Sequence, residues 1–205
     1  MTQASSGRRE TTTTQIQDQD WSGRTISGEH YDKVAFIDVD MTELINSNST
    51  FTDCAFRGVR LNASAHTSAA FINCTFTGCA FFDAKFTGCK MIGSNFSRSS
   101  FSMLKVTGGD WSFVSLAGAD LRTADFSDIR MREADLSGVR AAGASLRDID
   151  FTGASLQAAS LVECDLRGSN LSTLDPATVD LRRAVIGWEQ AVQIVTSIGL
   201  DVRAD

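Results

Sequence analysis

The chain carries five cysteines, Cys54, Cys74, Cys79, Cys89 and Cys164, two histidines, His30 and His66, and 25 acidic residues. Thiols and imidazoles could ligate a metal or form a nucleophile–base pair. Paired carboxylates could hydrolyse a glycoside by acid–base chemistry. The spacings support none of these. No two cysteines stand as C-x-x-C, and an odd count without a secretory signal argues against a disulfide framework. No G-x-S-x-G, H-E-x-x-H or phosphate-binding glycine loop occurs. The aspartates recur at multiples of five, which is the spacing of a repeat rather than of a catalytic pair. The expectation is a protein without catalytic residues, metal or cofactor.

The period of five runs through nearly the whole chain. Every fifth residue from Trp21 to Leu181 forms a column of 33 positions, apolar at all but Asn46, His66 and Pro176. At the mean apolar content of 42% only about 14 would be. Eleven of the 13 phenylalanines stand in it. Two residues earlier runs a second column of compact residues, including all five cysteines along with Ser64, Ala69, Ala119, Ala124 and Ile129. The other three positions are mostly polar, as in ADLRT at 119–123 and ADFSD at 124–128. Neither the helical period of 3.6 nor the strand period of 2 produces this pattern. The cysteines therefore read as buried small hydrophobes. Asn46 and His66, consecutive on one side, read as a dent, a bulge or a hydrogen-bonded pair.

This small–polar–large–polar–polar unit resembles the pentapeptide-repeat family. The resemblance implies an all-β solenoid, a right-handed quadrilateral parallel β-helix of about eight coils with 20 residues each, over residues 16–186. With strands about 4.8 Å apart it would be roughly 39 Å long. One side would stack Phe36, Phe56, Phe76 and Phe96, another Tyr31, Phe51, Phe71 and Met91. Residues 1–15, rich in Thr, Gln, Ser and Arg, are expected to be a disordered polar tail. Residues 187–202 are expected to form a helix, with Glu189 in its first turn and Gly199 at its C-terminal end. Its apolar residues are too many for one face, so it should both cap the open end of the solenoid and meet a second subunit.

The closing WEQAVQIVTSIGL, with Asp175–Pro176 before it, is similar to the MfpA and Qnr group of this family, and closer to the MfpA type because no loop interrupts the register. That resemblance implies a homodimer joined through Trp188, Ala191, Val192, Ile194, Val195, Ile198 and Leu200. It also implies a DNA-mimicking rod that binds DNA gyrase and protects it from quinolones or natural topoisomerase poisons. The alternative is a non-enzymatic scaffold or adaptor for another protein.

Charge fits the first reading. The net charge is −6, which disfavours direct nucleic-acid binding. Residues 110–181 hold 12 acids and six bases, whereas residues 21–109 hold seven acids and eight bases. Duplex DNA of the same length, roughly 17 Å, would carry about 10 charges. The expected carriers are the outward aspartates Asp110, Asp120, Asp125, Asp135, Asp150 and Asp165. No apolar run approaches a membrane span, and a cytoplasmic location is expected.

Overall fold

A computed structural model describes residues 14–203. The expected polar tail lies outside the described residues up to residue 13. Thr14 and Gln15 already belong to the first strand, Thr14–Gln17, which pairs with Val34–Ile37.

The chain is a right-handed parallel β-solenoid closed by one helix. Every rung joins residues 20 apart. On one side Gln15, Ala35, Ala55, Thr75, Asn95, Ser115, Asp135 and Ser155 pair in succession. On another, pairing runs from Thr25 to Val185. The four sides are named here by their first large inward residue: Trp21, Ile26, Tyr31 and Phe36. The inward column is the core, and the aromatic rings stack coil on coil. Centroids are 4.9 and 4.7 Å apart along Tyr31–Phe51–Phe71, and 4.8, 4.6 and 4.7 Å apart along Phe36–Phe56–Phe76–Phe96. These separations match the spacing of neighbouring strands, so backbone pairing and ring stacking reinforce each other.

The corners explain a column that composition alone leaves featureless. Two residues after each large residue the backbone turns with φ between +51° and +78°, from Asp18 to Arg183. Three positions depart from this, Thr123, Thr173 and Thr178, and they are the only β-branched residues in that column. A branched β-carbon is disfavoured in the left-handed region, whereas Gly, Asn and Asp enter it readily.

Where the small column holds a cysteine or serine, that side chain can reach a main-chain carbonyl of the coil below. Cys74 donates its thiol to the Phe51 carbonyl (3.3 Å), Cys79 to Phe56 (3.4 Å) and Cys89 to His66 (3.3 Å). Ser94 donates in the same way to Phe71 (3.1 Å) and Ser169 to Leu146 (2.8 Å). Cysteine and serine are interchangeable there because each is small and carries one donor. Burial raises the thiol pKa of Cys79 and Cys89 to about 11 and of Cys164 to about 12, so these thiols stay protonated.

Asn46 and His66 form a hydrogen-bonded pair without breaking the register. Asn46 Nδ2 donates to His66 Nδ1 (3.1 Å), His66 Nε2 bonds Ser64 Oγ (3.0 Å), and Ser64 Oγ donates to the Leu61 carbonyl (2.7 Å). This relay assigns the imidazole as neutral with its proton on Nε2. The ring stacks on Phe86 at 4.5 Å, and burial lowers its pKa to about 3. Asn46 Oδ1 has no partner.

Candidate functional site

Two surfaces stand out, the acidic C-terminal coils and the closing helix. In each repeat the residues before and after the large inward one both point outward, and a third outward position follows at the corner. Side chains at i and i+2 are therefore neighbours on one flat side, and those at i and i+20 are neighbours across coils.

This geometry neutralises four of the six nominated aspartates. Asp120 is held by Arg122 in its own repeat through two bonds, 2.9 and 2.6 Å, and Arg140 lies 3.5 Å away in the next coil. Asp165 is held likewise by Arg167 (2.9 and 2.7 Å). Asp110 meets Arg130 across one coil (2.9 Å), and Asp150 meets Arg132 (2.6 Å). The Arg122 hydrogen bonds bring Asp120 down to about 2; the Thr152 hydroxyl and then Arg132 do the same for Asp150. The D-x-R signature of Asp120–Arg122, Asp165–Arg167 and Asp180–Arg182 is visible in the sequence once i and i+2 are known to share a side.

The six nominated residues do not form one patch. Asp120 lies on the Trp21 side, Asp125 and Asp165 on the Ile26 side, Asp110 and Asp150 on the Tyr31 side, and Asp135 on the Phe36 side. Asp125 and Asp135 make no ion pair among the described residues, and the same holds for Asp128, Glu133, Asp148 and Asp175, which the sequence alone did not single out. Their distribution is ordered. Asp125, with Asp128 and Asp148 at its edge, occupies the Ile26 side; Asp135 and Asp175, with Glu133 at the adjoining corner, occupy the Phe36 side. These two sides are opposite each other. The Trp21 and Tyr31 sides between them carry most of the Asp–Arg pairs. Six carboxylates that form no ion pair among the described residues thus make two rails along opposite flanks of one half of the rod, with Lys105 in register beside Asp125 and Arg130 and Arg132 near Asp128 and Asp148.

The helix spans Trp188–Ser197. Gln190 is its one buried residue, and Ile194 packs against the solenoid core one turn later. The helix is shorter than the expected 187–202 and stops before Gly199. Gly199 adopts φ +88°, its amide donates to the Thr196 carbonyl, and Leu200 N–H donates to Val195. Of the residues nominated for a dimer contact, Trp188 is 80% exposed, Ile198 60% and Leu200 57%. Ala191, Val192 and Val195 are half-buried, and so is Ile194, which faces the chain's own core. Val185 and Val202 extend the exposed apolar surface. No helix among the described residues is long and apolar enough to cross a membrane.

Comparison with known proteins places this architecture. Three solved structures of QnrB1, a protein described as a plasmid-mediated fluoroquinolone resistance protein, superpose on the chain. Two trypsin-treated variants align at TM-scores of 0.59 and 0.58, with 20% identity, covering 92% of this chain and 97% of theirs. The full-length form aligns at 0.50, covering 91% of this chain and all of QnrB1. At that identity the likeness is one of fold. No curated protein matches the sequence. The family model for pentapeptide repeats matches eight copies over residues 67–102, 105–138 and 134–172, half of the chain. The chain belongs to the pentapeptide-repeat family.

Proposed function

We propose that this protein is a non-enzymatic, DNA-mimicking ligand of DNA gyrase, acting in the cytoplasm as a dimer joined at its closing helices and modulating or protecting the enzyme against quinolones or natural poisons. The observation that carries the reading is the pair of carboxylate rails. Fixed negative charges outside any ion pair, on two opposite flanks of a narrow rod, suit a basic groove built to hold the two phosphate backbones of a duplex. The fold shared with QnrB1, a fluoroquinolone resistance protein, is in keeping with a role against quinolones. A dimer through Trp188, Ile198 and Leu200 would put both acidic halves at the centre and the near-neutral coils at the ends.

The test is gyrase supercoiling with added protein, with and without a quinolone, over a range of salt. The native protein should modulate the reaction, and the effect should weaken as salt screens the charges. Asp125→Asn, Asp135→Asn, Asp148→Asn and Asp175→Asn combined remove four charges per subunit and keep each turn's shape. This variant should lose most of the effect. The same number of changes at Asp32, Asp38, Asp53 and Asp83 should matter much less. Equal losses would refute the rails, and no effect of the native protein at any salt would favour a scaffold for another partner.

A further inference from the structure

The ladder on the Trp21 side is broken at one level. Along this side the large residue of each coil donates its N–H to the coil above: Met41 to Arg60, Leu61 to Ala80, Phe81 to Ser100, Leu121 to Arg140, Ala141 to Ser160. The residue before it donates to the coil below: Arg60 to Val39, Ala80 to Val59, Ser100 to Cys79, Arg140 to Ala119. Phe101 and Asp120 make neither bond, and the bridge between Ser100 and Asp120 is absent from a series that otherwise runs Asp20–Asp40–Arg60–Ala80–Ser100 and Asp120–Arg140–Ser160–Asp180. At the adjoining corner, Met103 N–H would be expected to reach the carbonyl of Arg122, as Asp83 reaches Ser102. It bonds Thr123 Oγ1 instead, at 3.1 Å. Thr123 is one of the three corner residues outside the left-handed region. Its hydroxyl takes the place of the carbonyl that the other corners present.

The other three sides keep their rungs between the same two coils, although Arg98 at the end of the Phe36 side lacks the corner bond to Ala117. Asn95 pairs with Ser115, Lys85 with Lys105 and Lys90 with Asp110. The corner between the Ile26 and Tyr31 sides moreover carries, at this level, the longest strands among the described residues. There the strands Lys85–Lys90 and Lys105–Asp110 run without interruption through the turn, six residues each, where all others have three or four. Gly109 makes this possible. Its φ is +101°, and a β-carbon on it would strike the Cys89 carbonyl, so only glycine lets the two backbones lie together.

We propose that the junction between residues 81–100 and 101–120 is a one-sided hinge. It opens along the Trp21 side, where two inter-coil hydrogen bonds are missing, and turns on the continuous strands at Gly109. The hinge lies where the near-neutral coils meet the acidic ones, so its motion swings one half of the rod against the other. This inference rests on the backbone ladder alone and stands whether or not the partner is gyrase.

Hydrogen exchange and paired spin labels on the full chain test it. The amides of Phe101 and Asp120 should exchange at least tenfold faster than those of Phe81 and Arg140. Labels at Ala63→Cys and Gly143→Cys, four coils apart next to the open side, should give a broader distance distribution than labels at Asp53→Cys and Glu133→Cys, which span the same four coils elsewhere. Thr123→Asn, which accepts the left-handed turn, should slow exchange at both amides and narrow the first distribution. Equal protection at all four amides, or equal widths for the two label pairs, would overturn the hinge; no response to Thr123→Asn would overturn the role assigned to Thr123.

Discussion

The Gln190 side-chain nitrogen lies 2.6 Å from the Leu166 carbonyl, where the compact residue of a further coil would donate. At several levels of the solenoid such a carbonyl is met by a thiol or hydroxyl 23 residues later, as Phe71 is by Ser94 and Leu146 by Ser169. The same nitrogen donates to the Ser169 carbonyl at 2.8 Å, where the next rung's N–H would stand, in the way that Asn170 N–H meets Ile149. Its Oε1 accepts the Gly187 N–H at 2.7 Å. One amide therefore supplies two bonds of the missing coil and fixes the first turn of the helix that ends the sheet.

Gln190→Leu should lower stability by about 2–4 kcal/mol, because it leaves two buried carbonyls and a helix-end amide without partners. Urea unfolding would measure this, and amide exchange should rise first around Asp165 and Val185. Unaltered stability would mean that water replaces the amide at no cost.

The buried imidazole makes stability depend on pH. His66 has its pKa lowered to about 3 in the fold, against about 6.5 in an unfolded chain. The stability it permits is complete above pH 6.5 and falls, by about 1.4 kcal/mol per pH unit, as the unfolded state takes up the proton. Between pH 6.5 and 4.5 the loss should be roughly 2 kcal/mol. His66→Phe combined with Asn46→Leu should remove that slope and raise stability at pH 7, since the ring would extend the stack on Phe86 and no orphan amide would remain. Denaturation at a series of pH values decides it.

Corner chemistry can be tested at Ala63, exposed and at φ +54°. Ala63→Val should cost about 1–2 kcal/mol, and Ala63→Asn should be neutral or stabilising, although valine is the better strand former. Thermal unfolding of both variants is the measurement. The reverse ranking would show that packing outside the turn governs these positions.

For assembly, Trp188→Glu with Ile198→Glu should yield monomers by light scattering, because both side chains are exposed in the single chain and contribute up to about 1.5–3 kcal/mol each when buried. Ile194→Glu should instead destabilise the fold, since that residue packs on the core. Retained dimers in the double variant would move the contact away from the helix.

Much of this architecture is legible in the sequence because each large inward residue is tied to one fixed spacing. The columns containing Phe36 and Phe56 define coil length and side, and Gly199 marks the helix end. The acidic surface was less legible. Whether Asp120 or Asp135 is free depends on Arg122 sharing a flat side with the first and on Ser137 standing at that place beside the second, which requires the coil geometry. Gln190 escaped notice because a polar residue in an amphipathic helix ordinarily faces water. Its role follows only from counting the carbonyls that the last coil leaves open.

The four-sided coil also sets how the chain can change length. Removing or adding one five-residue unit keeps every large residue inward, so the core survives, but everything beyond the edit is indexed round by a quarter-turn. A deletion before Asp125 would carry the acidic rails onto the other two sides while leaving composition and charge almost untouched. Only an edit of 20 residues, one whole coil, preserves the bearing of the rails relative to the N-terminal half. Length variation in such a rod is thus a rotary dial with four stops, and surface orientation can be reset while only the stacks that cross the edited coil take new partners.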